Sequence, residues 1–184
     1  MALTKTPICN FGEKAKDFKL KSTENELISL DDIKGKNGTL VMFICNHCPY
    51  VKAIIKELVD DVDFLEKLGI KSVSIMSNDV KNYPEDSFEN MISFSKKNEF
   101  TFPYLIDETQ DIAKKYGAVC TPDFFGYNKN LELQYRGRIK ELKNLKPVND
   151  GDSELLTAMK MVANTGKGPK NQIPSMGCNI KWFK

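Results

Sequence analysis

Residues 39–51 read Thr39-Leu40-Val41-Met42-Phe43-Ile44-Cys45-Asn46-His47-Cys48-Pro49-Tyr50-Val51, and this stretch decides the fold. Its apolar first half, rich in β-branched and large side chains, has the character of a buried strand. After the two cysteines, Val51, Ile54, Ile55, Leu58, Val62 and Leu65 recur three and four residues apart, while Lys52, Lys56, Glu57, Asp60 and Lys67 fall between them. That spacing predicts an amphipathic helix. A second apolar run, Ile70-Lys71-Ser72-Val73-Ser74-Ile75-Met76, follows. Strand, helix and strand in this order form a βαβ unit with a parallel pair, and the turn leaving the first strand opens at the carboxyl edge of the sheet.

A Cys-x-x-Cys pair at a helix start has a chemical consequence. The first thiol, Cys45, is expected beside unpaired backbone N–H groups and the positive helix end, which lower a thiol pKa from about 8.5 into the range of roughly 3.5 to 7.5. Cys48, one turn inward, is expected to resolve a mixed disulfide. His47 is the only histidine of the chain. As an imidazolium between the two sulfurs it would depress the first pKa further and stabilise the reduced form, biasing the couple toward oxidant. A metal centre competes for the same residues. Zinc wants four ligands, however, and Cys9, Cys120 and Cys178 are isolated, with no second paired motif.

Composition narrows the functional classes. The 184 residues are 41% apolar and 28% charged, which describes one ordinary globular domain and excludes a disordered chain. Lys+Arg 27 against Asp+Glu 25 leaves a formal charge of +2, and like-charge clusters such as Lys114-Lys115 are short, so nucleic-acid binding has no electrostatic basis. The segment Met1-Ala2-Leu3-Thr4-Lys5-Thr6-Pro7-Ile8-Cys9 lacks a signal-type apolar run, and no stretch is apolar enough to span a bilayer. A cytoplasmic protein without membrane partners is expected. Five cysteines are too few for a disulfide scaffold and odd in number, so in a reducing compartment they are expected to be reactive or metal-binding.

The remaining chain shows no repeat. Phe124-Phe125-Gly126-Tyr127 and Leu131-Glu132-Leu133-Gln134-Tyr135 predict a hairpin about Asn128-Lys129-Asn130, whose asparagines tolerate left-handed geometry. Helices are predicted over residues 87–97, 108–116 and 152–164, the last with Leu155, Leu156, Met159 and Val162 inward and Gly166 ending it. Residues 1–165 then form the domain, and residues 166–184 a tail held on it by Ile173, Met176, Ile180, Trp182 and Phe183. Arg136 and Arg138 are expected to be solvated, and Asp79, Glu85 and Asp86 to mark a polar loop.

In Tyr116-Gly117-Ala118-Val119-Cys120-Thr121-Pro122-Asp123-Phe124-Phe125, the proline directly precedes a strand and must occupy its first position. Here the chain resembles the thioredoxin-fold superfamily, and Pro122 matches its cis proline. The resemblance implies that Thr121 and Pro122 face Cys45 and Cys48, with the Thr121 backbone offered to a substrate chain. Within the superfamily the chain is similar to the peroxiredoxin-like redoxin branch, related to the alkyl hydroperoxide reductase and thiol-specific antioxidant family. Carrying stretches are residues 12–20 and 45–52, Ser77-Asn78-Asp79, Tyr83-Pro84-Glu85-Asp86-Ser87, residues 120–125 and 177–182.

The implied fold is a thioredoxin-like α/β domain, a central mixed sheet flanked by helices, with an N-terminal extension and a packed C-terminal tail. The implied activity is thiol-disulfide exchange with Cys45 as nucleophile, Cys48 as resolving thiol and His47 tuning a couple more oxidising than thioredoxin's at about −270 mV. Its partners would be a thiol or disulfide substrate and a thiol reductant, with no cofactor. A thiol-dependent peroxidase is the alternative. Peroxiredoxins carry Pro-x-x-x-Thr-x-x-Cys and a later arginine; aligned on Cys48, Val41 replaces the proline and Cys45 the threonine, and no arginine adjoins Thr121-Pro122. Cys120 and Cys178 are expected either as a second redox pair, if the tail folds back, or as two buried thiols.

Overall fold

The computed structural model describes residues 3–184, so Met1 and Ala2 of the amino-terminal segment lie outside it. Strand β4 (Gly38–Phe43) is its centre and is buried along its whole length. It pairs in parallel with β5 (Ile70–Met76) and antiparallel with β8 (Asp123–Asn128), so both its edges are taken. Strands β2 (Lys19–Ser22), β3 (Leu27–Ser29), β6 (Tyr104–Ile106) and β9 (Leu133–Tyr135) complete a mixed sheet of order β3-β2-β6-β5-β4-β8-β9.

Because strand side chains alternate, β4 feeds two cores. Leu40 and Met42 join α1 (Pro49–Lys67), α2 (Phe88–Lys97) and α4 (Glu154–Thr165) on one face. Val41 and Phe43 join α3 (Asp111–Tyr116) on the other. The two later long helices start on side-chain caps, the hydroxyls of Ser87 and Ser153 accepting the N–H groups of Asn90 and Leu156. Gly166, with φ +73°, ends α4 as expected. In the β8-β9 turn the left-handed residue is Leu131, not an asparagine. The Asn128 side chain supports that turn instead, its Oδ1 accepting the N–H groups of Asn130 and Glu132.

A second, three-stranded sheet matters more for the site. Strand β7 (Cys120–Thr121) pairs with β12 (Met176–Asn179), which pairs in turn with β1 (Leu3–Lys5). A small hairpin, β10 (Leu142–Lys143) and β11 (Lys146–Pro147), stands apart. The tail therefore docks on the body, but not by the side chains expected to hold it. Ile180 is buried, whereas Ile173, Met176, Trp182 and Phe183 keep substantial exposure. Polar bonds fix it: Ser175 Oγ donates to the Pro122 carbonyl at 2.8 Å, Lys181 N–H to Asn78 Oδ1 at 2.8 Å and Phe183 N–H to Gln110 Oε1 at 2.8 Å. Hydropathy does not register such bonds. Among the described residues, no helix is long and apolar enough to cross a membrane.

Candidate active site

Cys45 and Cys48 lie between the end of β4 and the start of α1, and both are buried. The helix starts later than the spacing implied. Pro49 takes its first position, for which its fixed φ and missing N–H suit it, and Cys48 is the N-cap residue with φ −64° and ψ 121°. This corrects the expected placement: the helix end meets Cys48, and Cys45 stands three residues ahead of it. Asn46 and His47 form the bend between them because a buried carboxylate draws in their backbone. Asp86 Oδ1 accepts the N–H of Asn46 at 2.8 Å and that of His47 at 3.3 Å.

The Thr121-Pro122 bond is cis, as the resemblance implies. Thr121 touches both sulfurs. Its Oγ1 lies 3.4 Å from Cys45 Sγ, and its carbonyl accepts the Cys48 thiol at 3.2 Å. Beside Pro122 opens a cleft of about 240 Å³, lined by Tyr50, Ile54, Ile139, Pro174 and Met176 among others. The backbone edge of Thr121 is not open, however, because β12 is paired along it.

The two thiols share a proton unequally. The Cys45 S–H bonded to the Cys48 sulfur pulls Cys48 down to about 5 against the opposition of burial, with smaller help from the N–H groups of Val51 and Cys178 and from the Thr121 side chain. The same bond, with burial and the nearby Asp86 charge, pushes Cys45 well above the ordinary thiol range. The first proton of the pair thus leaves readily and the second with difficulty. The helix end meets Cys48, which favours the charge of the pair on that sulfur, whereas the sequence pattern pointed to Cys45. Ultraviolet titration of reduced protein should show one thiolate forming with a midpoint near 5. Cys48→Ser should abolish that step, and Cys45→Ala, which leaves no side-chain donor at position 45, should move it upward. A titration unchanged in Cys48→Ser would return the charge to Cys45.

His47 does not stand between the sulfurs. Its Nδ1–H donates to Asp86 Oδ2 at 2.6 Å and lies 3.9 Å from Cys45 Sγ, with the ring stacked on Tyr83 at 5.8 Å. The Asp86 bond raises the imidazole pKa. The resulting positive charge is largely compensated by its carboxylate, which weakens the tuning role first assigned to it. Asp86 itself is pushed up by burial, but hydrogen bonds from His47 and Asn78 overcome that and hold it below its ordinary value. Asn78 Nδ2 completes the set at 2.8 Å.

Asp86 is thus a central site residue that sequence reasoning put in a polar loop, and Asp79 beside it is also buried. Its one signal was membership of the family-like stretch Tyr83-Pro84-Glu85-Asp86-Ser87. Arg136 also departs from expectation. It is buried against Asp123 at 3.0 Å, donates to the Gly117 carbonyl at 2.7 Å and stacks over Phe125 at 4.4 Å.

Cys45, His47 and Asp86 place one potential ligand atom each within 4.8 Å of one another. Three donors fall short of the four that zinc prefers. Both Asp86 oxygens are already occupied by N–H donors, so a cation would have to break the bonds that shape the loop. The arrangement suits thiol chemistry better than metal binding.

Cys120 and Cys178 are both free, and the tail does fold back. Yet Cys178 faces Thr121, and Cys120 faces Asn179. Adjacent positions on a strand point to opposite faces, so Cys120 and Cys178 do not form the expected second pair. Cys120 turns to the Pro122 carbonyl at 3.7 Å, and burial raises its pKa, with the Asp123 charge adding to it. Cys178 instead joins Cys45 and Cys48 in one buried cluster.

This sheet order, with paired thiols after β4 and a cis proline against them, defines a thioredoxin-fold thiol redox protein. The chain belongs to the AhpC/TSA family, which it matches over residues 11–142. It is 29% identical over 115 residues to a putative peroxiredoxin bcp of Coxiella burnetii, covering 62% of this chain and 71% of that one. It is also 29% identical over 117 residues to sporulation thiol-disulfide oxidoreductase A of Bacillus subtilis, covering 64% and 67%. The crystal structure of an uncharacterized conserved protein from Geobacillus kaustophilus superposes with a TM-score of 0.94 at 37% identity, covering 100% of this chain and 97% of that one.

Proposed function

We propose that the protein is a thiol-disulfide oxidoreductase acting through Cys45 and Cys48 on protein or small-molecule disulfides, with a thiol as its reductant. The observation that carries this reading is the pair of buried thiols set against the cis-proline loop, both in contact with Thr121, with the helix end at Cys48. A thiolate is the nucleophile of disulfide exchange. Cys48 attacks one sulfur of the substrate, whose other sulfur departs as a thiolate, and Cys45 then displaces the bound sulfur. His47 and Asp86 hold the loop between the two cysteines in shape.

Peroxide reduction is the second reading, favoured by the family and by the peroxiredoxin-like relative. Against it, Cys45 stands where a peroxiredoxin has its threonine, and Arg136 is committed to Asp123 and Gly117. The direct comparison is of reduced protein given either a protein disulfide or hydrogen peroxide. Disulfide reduction should exceed that of the Cys48→Ser variant by at least ~10³-fold, and peroxide consumption should be no faster than that of a simple thiol at equal thiolate fraction. Fast peroxide turnover with slow disulfide exchange would reverse the assignment.

A further inference from the structure

Strand β12 pairs along the backbone edge of Thr121, next to the cis proline. Gly177 shows how closely. A Cβ added there would come 2.0 Å from the Thr121 carbonyl oxygen and 3.1 Å from Pro122 Cδ, so only glycine lets the strand rest on the cis-proline loop. The next residue, Cys178, is opposite Thr121 and shares its face. That face carries the thiol pair, since Thr121 Oγ1 contacts Cys45 Sγ and its carbonyl contacts Cys48 Sγ. Cys178 is itself buried and belongs to the same core cluster as Cys45 and Cys48.

We propose that Cys178 is a third thiol of the redox centre, an internal substrate that takes the disulfide over from Cys45. This rests on the oxidoreductase reading above. Once exchange has formed the Cys45-Cys48 disulfide, Cys178 sulfur attacks Cys48 Sγ. The Cys45-Cys48 bond breaks, the Cys48-Cys178 bond forms, and the proton lost by Cys178 passes to the departing Cys45 sulfur. One disulfide replaces another, so the step needs no further oxidant.

In the reduced protein, burial pushes Cys178 up to about 12, and its bond to Cys48 adds to this, so it rests as a thiol. Bonding Cys48 to Cys45 removes the negative charge beside it and with it part of that penalty. Cys178 can equally displace a substrate sulfur held on Cys48 when Cys45 is missing.

The test oxidises the full chain with diamide or oxidised glutathione, quenches with acid, alkylates, and maps disulfides without reduction. Wild-type protein should contain both Cys45-Cys48 and, by transfer, Cys48-Cys178; wild-type protein holding Cys45-Cys48 alone with Cys178 always free overturns the transfer. Cys45→Ser should convert to an intramolecular Cys48-Cys178 disulfide. Gly177→Ala in the Cys45→Ser background should lower its yield at least tenfold, by lifting β12 off Thr121, while Gly177→Ala alone keeps Cys45-Cys48. If Cys45→Ser instead ends with glutathione on Cys48 and a free Cys178, or with Cys178 joined to Cys120, the third-thiol role is overturned. A wild-type chain that forms no Cys45-Cys48 disulfide overturns the oxidoreductase reading itself, a result separable from the others by its pattern.

Discussion

Cys48→Ser should lower the rate of disulfide reduction by at least ~10³-fold, about 4 kcal/mol in the barrier, while Cys45→Ser retains a measurable fraction of it. The asymmetry follows from where the charge sits. Removing Cys48 takes away the sulfur at the helix end and leaves Cys45, whose thiol is held protonated by burial and the neighbouring Asp86. Replacing Cys45 by serine leaves the attacking sulfur in place with a hydroxyl donor beside it, and the proposed third thiol, Cys178, would resolve the mixed disulfide. The Cys45→Ser/Cys178→Ser double variant should therefore stall with substrate bound to Cys48, which mass spectrometry reads directly. If Cys45→Ser is the inert variant and Cys48→Ser accumulates the mixed disulfide, then Cys45 is the attacking thiol, as the Cys-x-x-Cys pattern alone suggested.

The start of the helix shows where sequence reading loses its grip. The central strand, the long helix and the parallel partner are written in local periodicity, and residues 39–44 and 70–76 anticipate β4 and β5 to within one residue. Which thiol meets the helix end depends on one proline. Pro49 starts the helix after Cys48, and periodicity places apolar faces without placing caps.

Asp86 lies further out of reach. Its charge reads as solvent-exposed until Asn46, His47 and Asn78 are gathered around it, two of them from about 40 residues away. Strand β12 was legible only as a tail with some apolar side chains. Its pairing with β7 depends on Gly177 fitting against Thr121, a contact made across more than 50 residues of chain. The folding back of the tail was legible, but not that Cys178 would stand opposite Thr121 with Cys120 opposite Asn179.

Asp86→Ala should cost about 3–5 kcal/mol of folding stability near pH 6, because it leaves the imidazolium, two backbone N–H groups of the Cys45-Cys48 loop and the Asn78 amide without their acceptor. The pH dependence has a definite sign on each side. The Asp86 pKa is depressed in the folded protein, so its contribution is present above the unfolded value of 3.8 and is lost as pH falls through the folded one. The His47 pKa is raised, so its contribution is complete below 6.5 and is lost as pH rises through the folded value. Between those limits both groups are charged and the pair is worth most. Urea unfolding of wild-type and Asp86→Ala protein should show the largest difference at about pH 5 to 6, shrinking toward pH 3 and again in alkali. In the same variant the His47 imidazole should titrate closer to 6.5 by proton NMR. A stability difference that stays flat across this range would mean that Asp86 supports the loop by shape and neutral hydrogen bonding, with no part for its ion pair with His47.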